Sequence, residues 1–68
     1  MRLSARNMLK GTIIDVTKGQ TTAHVRIDVA GTVVTASITN QAVDDLKLQK
    51  GQQAYAVIKA SDVMVAID

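Results

Sequence analysis

Thr22-Ala23-His24-Val25-Arg26-Ile27-Asp28-Val29-Ala30-Gly31-Thr32-Val33-Val34-Thr35-Ala36-Ser37-Ile38-Thr39 is the stretch that decides the fold. Through residues 22–29 the alternation is strict. Ala23, Val25, Ile27 and Val29 point one way, and Thr22, His24, Arg26 and Asp28 point the other. Side chains of a strand alternate between faces with a period of two, so this is a strand with one buried face. Ala30-Gly31 offers a short turn, and residues 32–39 run back as the hairpin partner. There Val34, Ala36 and Ile38 face oppositely to Val33, Thr35, Ser37 and Thr39, a small, Thr-rich face suited to solvent or to another chain.

Upstream of the hairpin, residues 9–17 carry Ile13, Ile14 and Val16 as a first strand, and Lys18-Gly19-Gln20-Thr21 supplies the turn. Gly11 inside that strand marks a bulge or a coiling point, as small barrels require. Downstream, Asn40 is placed to cap a short helix over 41–46 with Ala42, Val43 and Leu46 on its apolar face. Lys50-Gly51 closes that segment. Residues 52–59 form a fourth strand, with Ala54, Ala56 and Ile58 on one face and Tyr55 and Val57 on the other. A corner at Ala60-Ser61-Asp62 leads into a last strand over 63–67. This order predicts an all-β chain: a small five-stranded OB-like barrel with one short helix between strands 3 and 4. No linker, low-complexity segment or internal repeat interrupts it. Residues 1–68 therefore read as one domain, complete at both ends.

Composition narrows the function. A chain of 68 residues hides only about 60% of its unfolded surface on folding, and small domains of this kind usually need a staple. With no cysteine and one histidine, His24, disulfides and a side-chain metal cluster are excluded as that staple. Oligomerisation remains, and the apolar residues on both faces of several strands point the same way. The absence of cysteine also fits a reducing, cytoplasmic address. No apolar run approaches the roughly 20 residues of a membrane-spanning helix. The basic opening lacks the apolar stretch of a signal peptide. Eight Lys plus Arg against six Asp give a net charge of +2, far from the dense cationic stripe of a duplex binder. Tyr55 is the one aromatic residue, so the stacking platform that OB modules use to hold single-stranded nucleic acid is missing.

Catalysis is poorly supplied. There is no Cys nucleophile, no G-x-S-x-G and no phosphate-cradling Gly-rich loop. Asp44-Asp45 lies on the helix, where adjacent side chains diverge by about 100°, so it reads as a solvated face. His24 alternates with Arg26 on a polar strand face and reads as a surface or interface residue. The chain is expected to be a non-enzyme.

Two segments carry more interest. Ser4-Ala5-Arg6-Asn7 opens the chain, and Lys59-Ala60-Ser61-Asp62 occupies the corner before the last strand. If both are extended, Ser4 and Arg6 share a side, and so do Lys59 and Ser61. Each then offers one cation and one hydroxyl across a small alanine that lets a ligand reach backbone N–H groups. Together they would make a pocket of guanidinium, ammonium, hydroxyl and amide donors. A fully deprotonated tetrahedral dianion suits it, because such an ion only accepts hydrogen bonds. The plain reading of Arg6 and Lys59 is as edge-strand charges that discourage aggregation.

Ser4-Ala5-Arg6-Asn7 followed by Leu9-Lys10-Gly11 resembles the opening of the molbindins, the small molybdate-binding Mop proteins. Val57-Ile58-Lys59-Ala60-Ser61-Asp62-Val63-Met64 resembles their closing motif. The module, known as TOBE or MOP-like, recurs in molybdate-responsive regulators and transporter ATPases, and the resemblance spans essentially the whole chain. It implies an OB-like barrel assembled as a homo-hexamer, a trimer of dimers, that stores molybdate or tungstate at subunit interfaces. It also implies exchange of the N-terminal strand within each dimer. Ser4, Ala5 and Arg6 of one chain would then meet Lys59, Ala60 and Ser61 of another. Arg6 and Lys59 would neutralise the ion, Ser4 and Ser61 would donate hydroxyl bonds, and Ala5 and Ala60 would offer N–H groups. No side chain would coordinate the metal directly. Family members also bind anions near the threefold axis, for which the 19–22 turn is the candidate. Met8 stands where the family often has a polar residue, and Asp62 is expected to point away from the pocket and cap the corner's amides.

The function implied is intracellular binding and buffering of the oxyanion. Phosphate near neutral pH keeps a proton that needs an acceptor, which a donor-only pocket lacks, whereas sulfate can be excluded only by size. The alternative is a non-catalytic oligomerisation or regulatory module of the OB type without oxyanion selectivity.

Overall fold

The structure is a computed structural model that describes Ser4 and residues 6–68. Four strands, β1 (Asn7–Lys18), β2 (Thr22–Val29), β3 (Thr32–Thr39) and β4 (Gln53–Ile58), form one antiparallel sheet in the order β3-β2-β1-β4. The helix α1 (Asn40–Leu46) lies between β3 and β4, and a 3-10 turn, Ala60–Asp62, follows β4. The β2–β3 hairpin has the predicted bounds. Its turn places both Ala30 and Gly31 at positive φ, at 50° and 91°. That backbone matches the twist of the flanking strands. Asp28 Oδ1 accepts the Gly31 N–H at 3.0 Å and fixes the corner.

β1 is long because it serves two ladders. Its first half, from Asn7 to Thr12, pairs with β4, and its second half, from Thr12 to Lys18, pairs with β2. Curling of the sheet is concentrated where the ladders hand over. The bulge sits between Ile13 and Asp15 rather than at Gly11. Gly11 has a different job, the coiling half of its expectation: a Cβ there would lie 2.4 Å from the Asp28 carbonyl oxygen and 2.8 Å from Ile27 Cγ2. Only a residue without a side chain lets β1 and β2 approach this closely. Gly11→Ala is therefore expected to destabilise the fold by about 1–3 kcal/mol through overpacking, read as a lowered thermal midpoint with the folded secondary structure retained.

The inner face of the sheet is the one set by alternation. Ile13, Ala23, Val25, Ile27, Val43 and Ala56 are buried, with Val34, Ala36, Ile38, Leu48 and Ala54 packed around them. Val43 brings α1 onto this core, whereas Leu46, expected on the same apolar face, is 63% exposed. The helix cap also differs from expectation. Thr39 is the N-cap, its hydroxyl accepting the Ala42 N–H at 3.0 Å. Asn40 is the first helical residue, and its amide is used elsewhere. Its Nδ2 donates to the Gly19 carbonyl at 2.9 Å and its backbone N–H to the Thr21 carbonyl at 2.8 Å, tying the β1–β2 turn to the helix. An exposed ion pair between Lys18 and Asp44 reinforces that tie. The helix ends at Lys47 in the left-handed region, φ 53°, with the Leu48 N–H returning to the Val43 carbonyl at 3.0 Å.

The expected fifth strand is not formed among the described residues. Residues 63–67 follow the 3-10 turn with no strand beside them, and Met64, Val65 and Ile67 are about nine-tenths exposed. The alternation that predicted a strand is present, but it is paired with no strand among the described residues. No helix is long and apolar enough to cross a membrane among the described residues.

Candidate oxyanion site at the end of the β1–β4 ladder

The β1–β4 register begins at Asn7↔Ile58 and runs through Met8↔Val57 and Leu9↔Ala56. Asn7 locks this end of the ladder, its side-chain Nδ2 donating to the Ile58 carbonyl at 3.2 Å. The next residues outward are Arg6, just before β1, and Lys59, just after β4. Two segments that stand more than fifty positions apart in the chain (|i−j| = 51 for Asn7 and Ile58) thus leave the sheet together. Alternation alone assigns Asn7 no role. The signal for one is a polar residue at the first position of an otherwise apolar strand start.

Ser4, Arg6, Lys59, Ala60 and Ser61 are all exposed, and Ala5 lies outside the described residues. Like charges brought to one end of a ladder repel. Among the described residues the ion pair formed is Lys18 with Asp44, so neither Arg6 nor Lys59 is neutralised by a described carboxylate. An anion seated between them would relieve that repulsion and add charge-assisted hydrogen bonds.

The corner is not extended, which corrects the same-side reading of Lys59 and Ser61. Lys59 itself is extended, at φ −64° and ψ 140°, but Ala60–Asp62 winds into a 3-10 turn. The turn's backbone bonds run from the Asp62 N–H to the Lys59 carbonyl at 2.9 Å and from the Val63 N–H to the Ala60 carbonyl at 3.2 Å. The N–H groups of Ala60 and Ser61 precede these donors and are not used inside the turn. Winding thus replaces the alternating side chains by a cluster of Lys59, the Ser61 hydroxyl and two amides without a backbone hydrogen bond among the described residues. Asp62 is exposed, and no side-chain hydrogen bond caps the turn. β1 pairs with β2 and β4 of its own chain.

The other candidates separate cleanly from this cluster. His24 sits on the exposed outer face, opposite Thr17 on β1 and Ser37 on β3. In the 19–22 turn the Gly19 N–H is taken by the Thr22 carbonyl at 2.8 Å and the Gly19 carbonyl by Asn40. Among the described residues no three His, Cys, Asp or Glu side chains are grouped to hold a metal ion.

Residues 3–65 match the profile of the TOBE domain. The chain belongs to the TOBE domain family. A probable molybdenum-pterin-binding protein of Haemophilus influenzae is 42% identical over 69 residues, covering 100% of both chains. The solved structure of a molybdate-binding protein from Sporomusa ovata superposes with a TM-score of 0.94 at 36% identity, covering 98% of this chain and 100% of that one. The cytoplasmic molybdate-binding protein ModG, solved with molybdate bound, gives a TM-score of 0.89 at 45% identity. The TOBE chain described here covers 94% of its own length in that match and 46% of ModG. These likenesses establish the OB-like TOBE fold, and the four-stranded sheet is its version in this single chain. The family points to binding rather than catalysis.

Proposed function

We propose that this TOBE chain binds molybdate or tungstate as cargo and buffers it in the cytoplasm without chemical change. The observation that carries the reading is the ladder end at Asn7↔Ile58, where Arg6 and Lys59 leave the sheet together beside the amides of Ala60 and Ser61, which make no backbone hydrogen bond among the described residues. Ser4, Ala5 and Arg6 form one wall of the pocket, and Lys59, Ala60 and Ser61 form the other. Every contact offered is a donor or a cation, which suits an ion that only accepts. The ion is held through its oxygens, with no protein ligand on the metal.

The exposure of all the described pocket residues bears on assembly. A tight dianion site needs water excluded, since a low local dielectric is what strengthens its contacts. In one chain the pocket is a half-site, and a second copy closes it. We assign the assembly as a homo-oligomer with the pockets at subunit interfaces, a hexamer built as a trimer of dimers.

Mass action provides the test. A ligand that binds only the folded state at a hundred times its dissociation constant stabilises by about 2.7 kcal/mol. For a domain of this size that raises the thermal midpoint by roughly 10–20 °C. Melts of anion-free protein should therefore rise with molybdate, and the rise should vanish in Ser4→Ala plus Lys59→Ala while the assembly persists. An assembly whose melting ignores molybdate would instead be a structural or regulatory oligomerisation module.

A further inference from the structure

Asn7 stands where the two walls of the pocket meet the sheet. It follows Arg6 directly in the chain and opens β1, and its register partner Ile58 closes β4 directly before Lys59. Its side-chain Nδ2 donates to the Ile58 carbonyl at 3.2 Å. That carbonyl shares a peptide unit with the Lys59 N–H, and a peptide unit is planar. One side chain thus fixes the plane from which Lys59 and the 3-10 turn depart, while its own backbone carries Arg6. Among the described residues no other side-chain hydrogen bond lies at this end of the ladder, and the turn at Ala60–Asp62 has no side-chain cap. Asn7 is half-buried, whereas Arg6 and Lys59 are exposed and depend on their backbones for placement.

Resting on the oxyanion reading, we infer that Asn7 is the positioning residue that sets the size of ion the pocket selects. Molybdate and sulfate are both fully deprotonated dianions that only accept hydrogen bonds, so a donor-only pocket cannot separate them by charge or by protons. They differ in radius. A gap free to close would wrap either ion, and the smaller one, approached more closely by both cations, would be held at least as well. A gap of fixed width leaves the smaller ion out of reach of one wall, because a contact stretched past hydrogen-bond distance is lost. Selective sites hold their groups to within about 0.5 Å, and the Asn7–Ile58 bond is the described feature that ties these two walls to each other.

Asn7→Ala and Asn7→Leu both remove the donor, and the second keeps the branched outline of the side chain. Asn7→Gln keeps an amide donor on a longer arm. Each full-length variant is titrated with molybdate and, separately, with sulfate, and the ratio of the two dissociation constants is compared with the parent's. Removing the outer partner of a metal ligand costs about 10–100-fold in affinity, and molybdate binding should fall by about the lower of these factors. Sulfate binding should change less, so the ratio narrows in both donor-less variants and is partly restored by Asn7→Gln. A merely structural role would weaken both anions alike. A second reading needs no ligand: in amide spectra of the anion-free protein, the Lys59 and Ala60 resonances should move in both donor-less variants while those of β2 and β3 do not. An unchanged ratio in these variants, or equal losses for the two anions, would overturn the inference and leave the oxyanion reading standing. Loss of the folded spectrum in both would overturn it too, by assigning Asn7 to the fold. A parent that binds no molybdate, or binds it no better than sulfate, would overturn the reading itself and the inference with it.

Discussion

Replacing Arg6 and Lys59 together by alanine should weaken molybdate binding by at least about a hundredfold. A hydrogen bond to a charged group contributes about 1.5–3 kcal/mol, and each factor of ten in affinity corresponds to about 1.4 kcal/mol. Losing two such groups therefore removes about two to four orders of magnitude. The fold should survive, because both side chains are exposed and the Asn7 bond to Ile58 that holds the ladder end is untouched. Without anion the double variant should melt no lower than the parent, since two exposed like charges have been removed from the same end of the ladder. That combination, lost binding with retained stability, separates a site from a structural pair. Arg6→Lys should fall between the two, because it keeps the charge but loses the planar fork that grips two oxygens of a tetrahedral ion. A double variant with unchanged affinity would place the ion elsewhere on the molecule.

Ile13→Ala should be the most damaging single substitution in the core. Ile13 is fully buried, and it is fixed on both sides of its peptide. Its N–H donates to the Gln52 carbonyl at 2.8 Å, and its own carbonyl accepts the Gly51 N–H at 2.8 Å. These bonds hold the backbone in place, so the space left by the lost methylenes cannot collapse, and the expected cost is about 2–5 kcal/mol. A domain of this length has only about 3–10 kcal/mol in total. Denaturant unfolding should therefore show a midpoint near the edge of the folded range, or no folded baseline at all. Leu46→Ala, on the exposed side of α1, should shift the stability by no more than about 0.5 kcal/mol. Equal losses at the two positions would mean that the core is not centred where β1 changes ladders.

The contrast between these positions shows what is legible in sequence alone. β2 and β3 are readable to the residue because one face of each is buried and a one-residue slip would turn every side chain over. Tyr55 and Val57 fall on the outer face of β4, as alternation predicts, for the same reason. Local pattern is less informative where two residues compete for one role. Thr39 and Asn40 are both competent N-caps. Thr39 takes the role, its hydroxyl accepting the Ala42 N–H, while the Asn40 side chain is turned to donate its Nδ2 to the Gly19 carbonyl, twenty-one positions away in sequence. Gly11 announces a special backbone position, but its cause is the close approach of the Asp28 carbonyl, with the bulge displaced to Ile14.

The fifth strand is legible as a pattern and not as a partner, since alternation records which face is apolar and carries no record of which chain covers it. The site divides in the same way. Arg6 and Lys59 are recognisable as cations set beside small residues, and the antiparallel register brings their segments to one end. The alternation assigned to Lys59 and Ser61 fails because the chain winds after Lys59, a choice made by the turn's own backbone hydrogen bonds. Ala5 lies outside the described residues, so its place in the pocket is part of the proposal.

The central claim, a donor-only site selective for molybdate or tungstate, is tested most directly by calorimetric titration of the anion-free protein with molybdate, repeated in excess sulfate. Tight binding that persists in sulfate is the predicted result, and its stoichiometry reports whether sites exist beyond the Arg6–Lys59 pocket. Absent binding, or binding abolished by sulfate, would contradict it and leave a TOBE barrel with the family's architecture and no selective oxyanion site.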